Sequence, residues 1–124
     1  MAKILVAGED MRVQDQMVAT IEAEGYATVT ANDGFEAQES ALRERPDLIL
    51  LEAKMAVFNG FETAAALRED PDIGAEIPIV LITDEDVDPH KIERCQITEV
   101  FPKTHGSIQF LDMVIRLLGN KAGR

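Results

Sequence analysis

Short apolar runs alternate with helical patterns along all 124 residues of the chain, and this alternation limits the possible folds more than any other feature. Most of the apolar runs lack the alternating polar positions of a strand that has one face in water. Unbroken runs are typical of strands buried on both faces, as in a parallel sheet covered by helices on each side. The candidate strands are residues 4–7, 26–30, 48–51, 77–82 and 99–101.

Helical patterns separate these strands, and three of them are marked by the residues that end them. Gly25 closes the first pattern, and Pro46 and Pro71 follow the second and third, where a helix commonly stops. The patterns are centred on Val13, Met17 and Ile21, then on residues 35–45, 61–70, 88–95 and 108–118.

The last helical pattern is the clearest amphipathic one. Ile108, Leu111, Ile115 and Leu118 are spaced by three, four and three residues, which predicts that these four side chains form its buried face. Together the patterns give five strand-then-helix units. The sequence therefore predicts one doubly wound α/β domain over residues 1–124, with 119–124 as a frayed tail or the start of a linker.

Charge and cysteine content exclude several classes of partner. Twelve basic and 23 acidic residues give a net charge of −11, which opposes binding to nucleic acid or to an anionic membrane. No apolar run approaches the length of a membrane-spanning helix. Cys95 is the only cysteine, so no intrachain disulfide can form. We expect a cytoplasmic protein that is a monomer or weak dimer, or that binds a partner with a basic surface.

Ligand sites in doubly wound folds lie at the carboxyl ends of the strands. Several carboxylates are expected to meet there, and crowded carboxylates raise one another's pKa values unless a cation relieves the repulsion. A divalent metal, Lys54 or Lys103 would serve as that cation. The other polar residues that follow the strands are Glu9, Asp10, Glu52, Thr83 and Asp84.

An ordered set of motifs resembles the receiver domain of bacterial two-component response regulators. The resemblance covers about residues 3–118 and implies a flavodoxin-like sheet with strand order 2-1-3-4-5. It rests on the apolar strand at 4–6 followed by acids, PDLILLE at 46–52, NGFE at 59–62, IPIVLIT at 77–83 and FPK at 101–103.

In that family an aspartate at the end of the third strand accepts a phosphoryl group, and an acidic pair after the first strand binds magnesium with it. A Thr or Ser after the fourth strand and a Lys after the fifth contact the phosphoryl oxygens. By this resemblance Thr83 and Lys103 match the contact residues, and Glu9 matches the second acid in type. Glu52 stands at the phospho-acceptor position.

The chain departs from the family pattern at several functional positions. Gly8 stands where the first acid is expected, and Glu52 replaces the acceptor aspartate. Val100 takes the place of the aromatic switch residue, Asp84 replaces a small residue, and Thr104 replaces the proline after the lysine. Ordinary phosphotransfer is therefore not expected.

Our leading hypothesis is a degenerate receiver, not an enzyme, that binds a histidine kinase or a downstream effector without being phosphorylated. Glu52 and Lys103 would form a standing ion pair, and Lys54 would enter the metal position opposite Glu9. Magnesium would be absent, or weakly bound by Glu9 and Glu52.

Two alternatives remain. The first is a competent receiver that accepts phosphate on Glu52 or on a neighbour such as Asp10, although Asp10 is better interpreted as favouring the start of the first helix. The second is another flavodoxin-like binding protein or enzyme, which would need a phosphate-binding loop. The chain has neither a Walker-type motif nor the dinucleotide-binding glycine pattern.

Overall fold

A five-stranded parallel sheet forms the centre of the computed structural model, which describes residues 1–119. Its strand order, β2-β1-β3-β4-β5, confirms the predicted order. The fourth strand begins two residues later than expected, because Pro78 has no N–H to contribute to the ladder. The strands are β1 (Lys3–Ala7), β2 (Ala27–Ala31), β3 (Leu48–Glu52), β4 (Ile79–Ile82) and β5 (Glu99–Phe101).

A helix follows each strand, as the sequence predicted. Within residues 1–119 no helix is long and apolar enough to cross a membrane. The helices are α1 (Met11–Ala23), α2 (Gly34–Glu44), α3 (Gly60–Glu69), α4 (Pro89–Arg94) and α5 (Ser107–Leu118). Apart from Gly119, the predicted tail lies outside the described residues.

Each face of the sheet is covered by its own set of helices. Leu48 and Leu50 of β3 pack into the core that α1 and α5 complete. Ile49 and Leu51 of the same strand pack into the core beneath α2 and α3, with residues of α4 at its margin. Successive side chains of a strand point to opposite faces, so burial on both sides explains the unbroken apolar runs.

The last helix forms where it was predicted, but the predicted buried face was wrong. Ile108 is 77% exposed and Ile115 is 41% exposed, and of the predicted stripe only Leu118 is buried. Most of the twelve residues of α5 are apolar, so spacing alone selects no single face. The buried residues of this helix are Phe110, Met113, Val114 and Leu118.

Packing against an aromatic ring accounts for the orientation of α5. The ring of Phe110 meets that of Phe101 edge-on, with the centroids 5.7 Å apart. An edge-to-face pair of this kind adds to the free energy gained by burial. The rotation that buries Phe110 leaves Ile108 and Ile115 on the outer side of the helix.

Candidate functional site

Strand register brings the candidate residues to one edge of the sheet. Glu52 of β3 is paired with Ile82 of β4, and Ile82 is paired with Phe101 of β5. Thr83 follows Ile82 directly, and Lys103 follows Phe101 after one proline. Glu52, Thr83 and Lys103 therefore lie at the same edge, as expected.

The Glu52 carboxylate is almost completely buried, with 2% of the residue exposed. Its Oε1 atom lies 3.0 Å from Nζ of Lys103. Its Oε2 atom accepts a hydrogen bond of 3.1 Å from the backbone N–H of Asp10. Both oxygens of this buried carboxylate thus have a polar partner, which offsets the cost of removing the charge from water.

Gly8 provides the space that the longer Glu52 side chain occupies. A Cβ atom at position 8 would lie 1.7 Å from Glu52 Oε2 and 2.4 Å from its carboxyl carbon. These separations are far shorter than van der Waals contact, so an acid at position 8 and Glu52 in its present position exclude each other. The two departures from the family pattern are therefore structurally coupled.

Lys103 is held in its charged form. Burial by itself lowers the pKa of this ammonium group, but the hydrogen bond and the charge of Glu52 act in the opposite direction. Asp10 and Asp84 add further negative potential, and the net result is a pKa above the ordinary value. Lys103 is therefore protonated at neutral pH.

The carboxylates of the two acids that follow β1 point to different partners. Asp10 caps α1, as predicted, by accepting hydrogen bonds from the N–H groups of Arg12 and Val13. The Glu9 carboxylate reaches in a different direction and accepts a hydrogen bond from the backbone N–H of Ala56. Among residues 1–119 no group of three acidic, histidine or cysteine side chains is arranged to hold a metal.

Hydrogen bonds hold the segment between β4 and α4 at three consecutive residues, Thr83, Asp84 and Glu85. Thr83 Oγ1 accepts a hydrogen bond of 3.1 Å from the N–H of Glu85. Asp84 Oδ1 accepts bonds from both the N–H and the hydroxyl of Thr104, at 3.0 and 3.2 Å. Asp84 and Thr104 both depart from the family pattern, and they bond to each other.

Lys54 makes a different contact from the one expected. Its Nζ atom lies 2.8 Å from Glu85 Oε1, and although Lys54 and Glu9 line the same surface cavity, they form no salt bridge with each other. The turn at Thr83 brings Glu85 towards Lys54, while the N–H of Ala56 already satisfies Glu9. The expected metal substitution by Lys54 therefore has no support in this geometry.

Val100 lies on β5 and is half-buried against the core beneath α2 and α3. The neighbouring aromatic, Phe101, points to the opposite face and packs against His105 and Phe110. The position that the family gives to a switch aromatic thus carries a small aliphatic side chain.

Two further residues, Gln14 and Ala56, hold the segments around the site in place. Gln14, buried on α1, donates a 2.9 Å hydrogen bond to the carbonyl of Ala31 and a longer one to that of Gly8, so it holds the end of β1. The only available signal was a polar residue in the stripe with Met17 and Ile21. Ala56 joins three loops, because it binds Glu9 through its N–H and the N–H of Gly34 through its carbonyl.

Val57, next to Ala56, has a φ of +70°, which is unfavourable for a β-branched residue. The Phe58 N–H bonds back to the Ala56 carbonyl at 2.9 Å, which closes a tight turn around Val57. Such a conformation costs about 1–3 kcal/mol and persists only where its surroundings enforce it. No sequence pattern indicated this turn.

Comparison with known proteins identifies the family. Residues 4–114 match the model of the response regulator receiver domain. The chain belongs to this family. The receiver assignment made from the ordered motifs, and the α/β fold that it implied, are both confirmed.

Receiver relatives and structures are similar along most of the chain. Protein PilH of Pseudomonas aeruginosa is 28% identical over 92 residues, which cover 74% of this chain and 75% of PilH. Response regulator MprA of Mycobacterium leprae is 33% identical over 84 residues, which cover 68% of this chain but only 36% of MprA. The crystal structure of CheY4 from Vibrio cholerae has a TM-score of 0.88 and 27% identity, and the match covers 94% of this chain and 98% of CheY4.

Proposed function

We propose that this receiver domain works as a protein-interaction module in two-component signalling without being phosphorylated. The observation that carries the proposal is the interlocking of Gly8 and Glu52: the acceptor-position carboxylate fills the space that the missing acid would need. A permanent carboxylate–ammonium pair with Lys103 then takes the place of a reversible phosphoryl contact.

The position of Glu52 argues against phosphoryl acceptance. A glutamate is one methylene longer than aspartate, and a displacement of about 1 Å can lower a rate by about a hundredfold. Here both carboxylate oxygens are also engaged, by Lys103 and by the N–H of Asp10. Attack on a phosphoryl donor would first require one of these contacts to break inside a buried pocket.

The described residues do not fit a magnesium ion. A related receiver domain of the sensor histidine kinase PA1611, 22% identical, was crystallised with magnesium coordinated in its active-site cleft, and that likeness extends to the fold alone. Mg²⁺ requires several oxygen ligands in octahedral geometry. In this chain Gly8 supplies no side-chain ligand, Glu9 binds the N–H of Ala56, and Glu52 binds Lys103.

The module would present one fixed surface to its partner. The hydrogen bonds from Thr104 to Asp84 hold the start of the β4–α4 segment in place. In a receiver that switches, this segment moves together with the hydroxyl residue, whose position Thr83 takes here. The imitation of a phosphorylated site is incomplete, because a carboxylate carries −1 and a phosphoryl group carries about −1.5 to −2. We propose a histidine kinase or a downstream effector as the partner, bound by contact and without catalysis.

A beryllium fluoride titration with magnesium, followed by amide NMR, tests the proposal. We expect no specific shifts around Glu9, Thr83 and Lys103 in the wild-type chain. The double variant Gly8→Asp/Glu52→Asp is the matched control, since it restores both acids at once and should respond at these residues. Specific wild-type shifts at the same residues would favour the alternative, a competent receiver that is phosphorylated on Glu52 or Asp10.

A further inference from the structure

Three large apolar side chains are exposed at the edge of the sheet that carries the site. Met11 at the start of α1 and Phe35 in the first turn of α2 are each 50% exposed, and Val57 in the β3–α3 loop is 66% exposed. None of the three belongs to the buried core clusters of residues 1–119. Exposed apolar residues scattered singly need no explanation, but a group of them indicates a contact surface.

Backbone contacts centred on Ala56 bring the loops of Phe35 and Val57 close together. The Gly34 N–H, beside Phe35, donates a hydrogen bond of 3.1 Å to the Ala56 carbonyl. The two loops are so close that a Cβ at Gly34 would lie 2.0 Å from the carbonyl oxygen of Phe58. We call the surface formed by Phe35 and Val57 the Ala56 rim.

A cluster of carboxylates surrounds the Ala56 rim. Its carboxylates are held by backbone N–H groups, and within residues 1–119 none of them forms a salt bridge. The basic residues nearby are Arg12, Lys54, which is paired with Glu85, and Lys91, which lies over the ring of Phe61. The surrounding carboxylates are those of Glu9, Asp10, Asp33 and Glu36.

We propose that the Ala56 rim docks a partner segment that carries apolar side chains flanked by Lys and Arg, such as a basic amphipathic helix. The apolar anchors would cover Phe35 and Val57, and the basic residues would neutralise the surrounding carboxylates. The strained φ of Val57 fits this role, since the turn holds an aliphatic side chain outward where water alone would not favour it. The proposal does not depend on whether Glu52 accepts phosphate.

A second copy of the chain is a poorer occupant. A symmetric dimer through the Ala56 rim would place the same four carboxylates opposite one another, in a chain that already carries a net charge of −11. Like charges brought together at an interface oppose association. The charge pattern thus favours a basic partner over self-association.

The test uses a labelled synthetic helical peptide of Leu and Lys in amphipathic order, titrated into the full chain. We expect binding to weaken by about tenfold or more in Phe35→Ser and in Val57→Gly, because each change removes an apolar anchor. Val57→Gly also suits the positive φ, so lost binding in that variant would not reflect unfolding. Leu42→Ser is the control, because Leu42 is 44% exposed near the far end of α2 and should leave affinity unchanged.

Three results would overturn the proposal. Equal affinity of the wild type and both rim variants would mean that the peptide binds only the general acidic surface. Equal binding of a matched peptide with Glu in place of Lys would remove the charge argument. Self-association in sedimentation that Phe35→Ser abolishes would assign the surface to a second copy instead.

Discussion

The centre and the rim of the same sheet edge differ in how their side chains are satisfied. At the centre, Glu52 is buried and each of its carboxylate oxygens has a partner. At the Ala56 rim, Phe35 and Val57 are 50% and 66% exposed, and within residues 1–119 none of the surrounding carboxylates forms a salt bridge. The difference separates two tasks, because a satisfied buried pair resists change while an uncovered surface remains available for contact.

The largest expected effect comes from Gly8→Asp with Glu52 unchanged. The new side chain would displace the buried Glu52 carboxylate from its contacts with Lys103 and the Asp10 N–H, and would add a second acid beside it. We expect the free energy of unfolding to fall by about 3 kcal/mol or more, measured by urea denaturation. Gly8→Asp/Glu52→Asp should recover most of this loss, and strictly additive effects in the double-mutant cycle would contradict the interlock.

Replacing the cation of the central pair has the next largest effect. Lys103→Met leaves the buried Glu52 carboxylate without its ammonium partner, and we expect a loss of about 1–2 kcal/mol at pH 7, reduced by the partial exposure of Lys103. The Lys103 pKa is raised in the folded state above its ordinary value of 10.5. The pair therefore stabilises the fold fully at pH values below 10.5, and this stabilisation is lost as the pH rises through the raised pKa. The difference between wild type and variant should therefore shrink at strongly alkaline pH, and a constant difference would count against the pair.

Asp84→Ala tests whether the hydrogen bonds from Thr104 hold the β4–α4 segment in one position. The change removes two hydrogen bonds from Thr104 and should lower stability by about 1 kcal/mol, with faster amide exchange in residues 83–88. Asp86→Ala is the matched control, as it removes an exposed acid of the same segment. Equal exchange rates in the two variants would show that the Thr104 contact holds nothing in place.

The smallest expected effect lies at the rim and has the opposite sign. Val57→Gly relieves an unfavourable φ but makes the unfolded chain more flexible, and we expect a net gain of about 1 kcal/mol or less in stability. Thermal unfolding of the variant and the wild type under the same conditions measures this difference in stability. A clear loss of stability would mean that Val57 supports the fold and is not simply held outward by its loop.

The fold was predictable because its signals are local and repeated. Runs such as residues 48–51 predict strands that are buried on both faces. The carboxyl ends of parallel strands meet at one edge of the sheet, which brings Glu52, Thr83 and Lys103 together. The face of α5 was not predictable, because Ile108 and Ile115 are as apolar as Phe110 and only packing against Phe101 selects between them.

Within the site, sequence identified the residues but not their contacts. The coupling of Gly8 and Glu52 depends on Glu52 Oε2 lying only 1.7 Å from where a Cβ atom at position 8 would stand, and no spacing rule reports this for residues 44 positions apart. Lys54 was expected opposite Glu9 but pairs with Glu85, because no sequence pattern indicated the turn at Thr83 that presents Glu85. The single-domain extent of residues 1–124 and the cytoplasmic location stay predictions.

Acetyl phosphate labelling, measured by intact mass, tests most directly whether the site around Glu52 is unable to accept a phosphoryl group. The wild-type chain and Gly8→Asp/Glu52→Asp would be incubated side by side with acetyl phosphate and magnesium. We predict that the double variant gains a phosphoryl group and the wild type does not, because only the variant presents a free acceptor aspartate beside a restored acidic pair. A phosphorylated wild-type chain would contradict the proposal of a permanently fixed site.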